Sequence, residues 1–158
     1  MRVLIATPLY PPESGGPATY AKLLEGGLPS RGFEVELVKF ADVKRLPKFI
    51  RHFIYFLHVL EGARGVDLVL ALDAVSVGFP AMLAARIARK PFVVKIVGDY
   101  AWEQGQQRFG ITQTLDEFVK TKHVPFSVRM LRKIETRVAR KAKRIIVPSN
   151  YLKGIVVA

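Results

Sequence analysis

Residues 2–17 read Arg-Val-Leu-Ile-Ala-Thr-Pro-Leu-Tyr-Pro-Pro-Glu-Ser-Gly-Gly-Pro. The first six form a short, nearly continuous apolar run, the pattern of a strand covered on both faces as in parallel sheets. Pro8 ends it, and the stretch to Gly16 holds three prolines and two glycines, which reads as a loop. Pro17 stands where a helix begins, a place that tolerates proline because that N–H has no helical partner. Met1–Ala6 also resembles a short signal peptide. Its apolar run is too brief before Pro8, and a buried first strand is the better reading.

Working outward, Tyr20, Leu23, Leu24 and Leu28 fall on one helical stripe, and Ser30-Arg31-Gly32 stops that helix. Residues 34–40 alternate as a half-buried strand, and 46–63 read as a long helix. Residues 67–72 predict a third strand, 77–89 a third helix and 92–97 a fourth strand. Residues 103–124 are polar and read as irregular, with a short helix around Thr114–Lys120. A basic helix over 126–142, a fifth strand over 144–147 and a last turn capped by Ser149-Asn150 complete the chain. Strand and helix alternate, which implies an α/β, Rossmann-like, doubly wound parallel sheet flanked by helices. Ligands bind such sheets beyond the carboxyl ends of the strands, so the loops of interest are 8–17, 73–77, 98–112 and 148–150.

With 158 residues, half of them apolar, the chain has the size of one domain and enough apolar residues for a substantial core. It contains no cysteine, which excludes disulfides, a thiolate nucleophile and a Cys-ligated zinc. That composition fits a reducing compartment, and the expected location is cytoplasmic. No apolar run reaches the roughly 18 residues a membrane-spanning helix needs. The net charge of +12 favours anionic partners.

The loop Pro11-Pro12-Glu13-Ser14-Gly15-Gly16-Pro17 offers close backbone approach and the free N–H groups of a helix start, chemistry that suits a phosphate or carboxylate. It is neither a G-x-G-x-x-G dinucleotide fingerprint nor a Walker loop. The alternative is a tight turn that needs positive φ. The second candidate is Val97-Gly98-Asp99-Tyr100-Ala101-Trp102-Glu103. Two carboxylates and two aromatics in five residues suit a carbohydrate, with carboxylates accepting from hydroxyls and rings packing on apolar sugar faces. Asp99 is placed as base at the reaction centre, with Tyr100, Trp102 and Glu103 as acceptor contacts. The competing reading makes Asp99 a cap and Trp102 a core residue.

The chain resembles the N-terminal domain of glycosyltransferase family 4 enzymes of GT-B fold. The resemblance rests on Pro11, Pro12, Gly15 and Gly16, then Leu23, Leu24 and Leu28, then Arg31-Gly32-Phe33-Glu34-Val35. It continues with Gly78-x-Pro80, Lys90-Pro91-Phe92-Val93, Asp99 after the fourth strand, and Val147-Pro148-Ser149. It implies two Rossmann-like domains facing across a cleft, the N-terminal one receiving the acceptor. The other would hold a nucleoside-diphosphate sugar and carry a paired-glutamate motif. It implies that Gly15 and Gly16 lie near the donor phosphates, that no cofactor or metal is needed, and that residues 1–158 lack the donor domain and are inactive alone. Related enzymes often carry a histidine before the acidic residue. Gly98 stands there instead and removes any histidine-based role.

Two stretches are basic and amphipathic. Phe49, Ile50, Phe53, Ile54, Leu57 and Leu60 follow helical spacing, with Lys44, Arg45, Lys48, Arg51 and His52 at the front. Such a helix packs on the sheet, lies in a membrane surface, or does both, and peripheral contact at the inner face of a membrane is an expectation for a lipid-linked acceptor. Lys120–Arg144 holds ten basic residues and one acid, Glu135, with Val128, Leu131, Ile134 and Val138 as the buried stripe. Without a reader module or an aromatic platform, nucleic acid is not an expected partner. His52, His58 and His123 lack ligand spacing, so no metal is assigned. A homodimer through an exposed apolar face is a further expectation. The competing functional class is a non-catalytic module of the same fold that binds anionic ligands or a membrane surface. A single-domain nucleotide-binding protein is third.

Overall fold

The computed structural model describes residues 1–121 and 123–157. Lys122, one of the ten basic residues between Lys120 and Arg144, and Ala158 lie outside the described residues. Five parallel strands, β1 (Arg2–Thr7), β2 (Glu34–Lys39), β3 (Leu68–Ala71), β4 (Phe92–Lys95) and β5 (Arg144–Ile146), form one sheet in the order β2-β1-β3-β4-β5. Helices α1 (Gly16–Gly27), α2 (Lys48–Arg64), α3 (Gly78–Ile87), α4 (Tyr100–Phe109), α5 (Leu115–Lys120), α6 (Phe126–Lys141) and α7 (Asn150–Val157) complete the described chain.

Strand β1 shows why the sheet is covered twice. Side chains alternate across a strand. Val3 and Ile5 pack with Ala21, Leu24 and Leu28 from the α1 side. Leu4 and Ala6 pack with Tyr55, Val59, Ala81 and Val138 from α2, α3 and α6. The doubly wound expectation therefore holds in its physical sense, one apolar cluster on each face. Tyr55 is completely buried, and its hydroxyl donates to the Val38 carbonyl at 2.9 Å, so the ring's polar end is satisfied inside the core.

Three expectations need correction. Residues 100–109 are helical rather than irregular. Their sequence is polar, but Asp99 caps the helix start and Gly110 ends it at φ 66°. Ala101, Trp102 and Leu115 then pack with Phe118 and Val128 in a third cluster shared by α4, α5 and α6. Leu23 leaves the α1 stripe and is 64% exposed. In α2, Phe49, Ile50, Phe53 and Leu57 point outward, and Tyr55, Val59 and Ala63 form the buried side. The short helix at Thr114 is present, with a complete capping box between Thr114 and Glu117. Ser149 Oγ accepts from Leu152 N at 3.2 Å, as a cap should.

Candidate functional site

The strand order changes direction between β1 and β3. The loop after β1 leads to α1 on one face, and the loop after β3 leads to α3 on the other. A crevice opens between such diverging loops, the usual ligand position in this architecture. On the β1 side, Gly15 adopts φ 145°, a conformation that requires glycine, and a Cβ there would meet Leu9 Cδ1 at 2.9 Å. Gly15 and Gly16 are both exposed, and no side chain caps the start of α1. The loop itself is braced: Lys44 Nζ donates to Glu13 Oε1 at 2.7 Å, and Thr7 Oγ1 to the Leu9 carbonyl at 2.6 Å. Lys95, at the end of β4, sits 3.2 Å from the centroid of the Tyr20 ring on α1, and burial lowers its pKa. The tight-turn reading of the glycine loop is correct, and the turn leaves its backbone accessible.

On the β3 side, the Asp73 carboxylate organises the entry to α3. It accepts from Val75 N at 2.8 Å, Ser76 Oγ at 2.6 Å and Val77 N at 3.1 Å. Burial raises its pKa, and these hydrogen bonds oppose the rise. Gly78 closes the turn. A Cβ on it would overlap the Asp73 carbonyl oxygen and lie 3.1 Å from the Asp73 carbonyl carbon. In an ordinary helix Gly→Ala is stabilising. Gly78→Ala is instead expected to cost about 1–3 kcal/mol, a fall of several degrees in Tm, because backbone must move. An unchanged or raised melting temperature would show that the turn yields without cost.

Past β4, three carboxyl groups converge. Asp99 caps α4 by accepting from Trp102 N at 2.8 Å. Glu135, from the middle of α6, accepts from Tyr100 N at 2.7 Å and Ala101 N at 3.0 Å. Burial raises the Asp99 pKa, against the Trp102 N–H, the Arg132 cation and Glu135. Burial and the Asp99 charge push Glu135 up to about 8. Both effects favour the protonated form of Glu135 near neutral pH. Glu103 leans against the Cα of Gly98, where any larger residue would place its Cβ, and burial together with Asp99 raises it too. The departure at Gly98 thus has a structural counterpart: the Glu103 carboxyl occupies the space of the absent side chain. Arg132 is fixed beside them, donating to Phe118 O at 2.6 Å and Thr121 O at 2.8 Å while stacked 4.1 Å from the Phe118 ring.

An open cleft of about 600 Å³ lies over this point, lined by Asp99, Trp102, Glu103, Gln113, Ser149 and Tyr151 among others. Its size suits one or two sugar rings. Three of the sequence candidates, Asp99, Trp102 and Glu103, therefore share one cleft. Trp102 is half-buried, its Nε1 donates to Gln113 O at 2.9 Å, and its ring packs in the third cluster. Asp99 is indeed a cap and Trp102 indeed packs inward, yet both also border the cleft. Tyr100 does not. It points to Ser76 and Asp73, where burial and the Asp73 charge raise its phenol and a Ser76 hydrogen bond lowers it. Gly15 and Gly16 are not in the cleft lining either. Among the described residues no group of three or more His, Asp or Glu is arranged to hold a metal.

Asp73, Ser76, Arg132 and Glu135 were not singled out from the sequence. An Asp three residues before a Ser at the mouth of an apolar helix is a capping signal. Glu135, the only acid in a basic stretch, also falls between Leu131 and Val138 on the buried stripe, a position where a charge needs partners.

No family model matches the chain, and no curated protein matches it. Solved structures do. A candidate UDP-N-acetylglucosamine 2-epimerase from Listeria monocytogenes is similar at 16% identity with a TM-score of 0.58, over 99% of this chain and 41% of that one. HepE from Anabaena, in complex with UDP, is similar at 14% identity with a TM-score of 0.56, over 99% of this chain and 40% of that one. At such identities the likeness is one of fold, and the fold is the Rossmann-like sheet that the order of elements implies. The chain spans about two fifths of the length of these structures.

Proposed function

We propose that the chain is the acceptor-side half of a GT-B glycosyltransferase, of the family 4 kind, that moves a sugar from a nucleoside-diphosphate sugar to an acceptor hydroxyl. The observation that carries this reading is the cleft at the carboxyl end of β4, where Asp99, Glu103 and Trp102 meet. Transfer needs a base for the acceptor hydroxyl and stabilisation of the departing diphosphate. Asp99 takes the first role, since burial raises its pKa toward that of a better base. Glu103 accepts from acceptor hydroxyls, and the edge of Trp102 packs against the ring. The exposed backbone of Gly15 and Gly16, at the uncapped start of α1, takes the diphosphate, and the domain that faces this one holds the rest of the donor. Tyr100 lies outside the cleft lining, near Asp73, and is no longer assigned to the acceptor. The two similar structures support the reading by fold, and one of them is a complex with UDP.

Isothermal titration with UDP, GDP and their sugar conjugates tests the division of labour. This chain alone is expected to bind them no tighter than about millimolar, and the same chain joined to its facing domain about 100-fold tighter. Micromolar binding by this chain alone would place a complete nucleotide site within these residues and overturn the assignment.

A further inference from the structure

Helix α2 carries two apolar stripes, and only one of them has a partner within the fold. Tyr55, Val59 and Ala63 are buried against the sheet. Leu46, Phe49, Ile50, Phe53 and Leu57 are exposed by 39%, 92%, 50%, 60% and 40%. At 100° per residue Phe49, Ile50, Phe53 and Leu57 fall within about 100° of arc, a single outward face on the first half of α2, and Leu46 lies in the turn before it. The Phe53 and Phe56 rings stack there at 6.4 Å. Exposed apolar residues scattered singly are normal, but four on one helical stripe, two of them phenylalanines, with Leu46 beside them are not.

The rim of this face is basic. Lys44, Arg45 and Lys48 are exposed beside it, and Arg51 lies half-buried with its guanidinium 5.6 Å from the Phe40 ring. The nearby acids are Asp42 and Glu13, and Glu13 is already taken by Lys44. Glu61 lies a turn beyond Leu57, outside the cationic end. A second copy of the chain is a poor partner for such a face, because it would set these cations against their equivalents and one net charge of +12 against another. A negatively charged sheet of head groups over an apolar interior complements both features at once.

We propose that the outer face of α2, from Lys44 to Leu57, docks on a bilayer that contains anionic lipid. Phe49 and Phe53 enter the boundary between head groups and acyl chains, and Arg45 and Lys48 contact lipid phosphates, while Lys44 stays on Glu13. The helix lies in the plane of the surface. Among the described residues no helix is long and apolar enough to cross a membrane, so the contact is peripheral. This docking is independent of the reaction assigned above.

Vesicle co-sedimentation of the 158-residue chain tests it, using phosphatidylcholine vesicles with and without about one third phosphatidylglycerol. The chain is expected to sediment with the mixed vesicles and to be released by high salt. Phe49→Ser combined with Phe53→Ser is expected to lower the affinity at least about tenfold. Arg45→Gln with Lys48→Gln should weaken binding to the mixed vesicles alone. Leu23→Ser, which removes an exposed leucine from the opposite side of the sheet, should leave binding unchanged. All these side chains are exposed, so circular dichroism and Tm are expected to stay those of the parent. Failure to sediment with either vesicle overturns the proposal, as does a phenylalanine pair that can be removed without effect. A dimer in sedimentation velocity that is lost with the same pair, without vesicle binding, would make the occupant a second copy.

Discussion

Asp99→Asn is expected, on the proposed glycosyltransferase reading, to lower kcat for sugar transfer by about 10²–10⁴-fold, with KM for the donor little changed, when the chain is joined to the proposed facing domain. Asparagine is nearly as good a helix cap as aspartate, so its side-chain oxygen can still accept from Trp102 N and α4 should keep its start. What it lacks is a carboxylate able to take a proton from the acceptor. The melting temperature is therefore expected to stay within a few degrees of the parent, which separates loss of chemistry from loss of fold. A second readout is built in. Part of the rise at Glu135 comes from the Asp99 charge, so neutralising residue 99 should bring Glu135 down toward its ordinary range. Turnover close to that of the parent would end the assignment of Asp99 as base and leave it as a cap alone.

Stability is expected to fall as pH rises from about 5 to above 8, and Glu135→Gln to remove most of that fall. Burial, then the neighbouring Asp99 charge, raises Glu135 from an ordinary 4.5 to about 8. Between those values the folded chain holds a proton that the unfolded chain has released, so stability is fully present below the window and is lost as pH rises through it. At about 1.4 kcal/mol per unit, discounted for water reaching a half-buried group, the change is about 2–4 kcal/mol, or about 5–12 °C in Tm. Asp99, Glu103 and Asp73 are shifted upward as well and act with the same sign. Glutamine resembles the protonated acid: its carbonyl accepts from Tyr100 N or Ala101 N, and its amide donates toward Asp99. The variant should match the parent near pH 5 and exceed it near pH 8.5. Parallel pH curves for the two proteins would show that Glu135 is ionised in the fold.

These two residues also mark where sequence reading ran out. Asp99 was legible because it follows an apolar run directly, and in a parallel sheet that places it at a carboxyl end. Glu135 was not, because its partners are backbone N–H groups 34 and 35 residues away. The Asp73 turn lay in a loop already marked, but its link to Tyr100 depends on α3 and α4 each packing on α6. Residues 103–109, part of the stretch 103–124 read as irregular, were missed because their polar composition carries little apolar periodicity. The helix exists through its cap at Asp99, the two Glu135 contacts and a few apolar residues docking on α6.

For this protein the sequence by itself determined the five strands, most of the helices and their order, but not α4. Short apolar runs bounded by proline and glycine are local signals, and alternation of strand and helix leaves few topologies other than a doubly wound sheet. It also determined the glycine loop, since the Gly15 backbone angle is a local steric matter. Only the tertiary structure decided which stripe of α2 turns inward, which of Asp99, Tyr100, Trp102 and Glu103 share a cleft, and that burial and Asp99 together raise the Glu135 pKa. Each of these depends on desolvation and on groups that meet across long stretches of chain. Burial is a property of the packed whole, and a carboxyl's charge follows from what surrounds it.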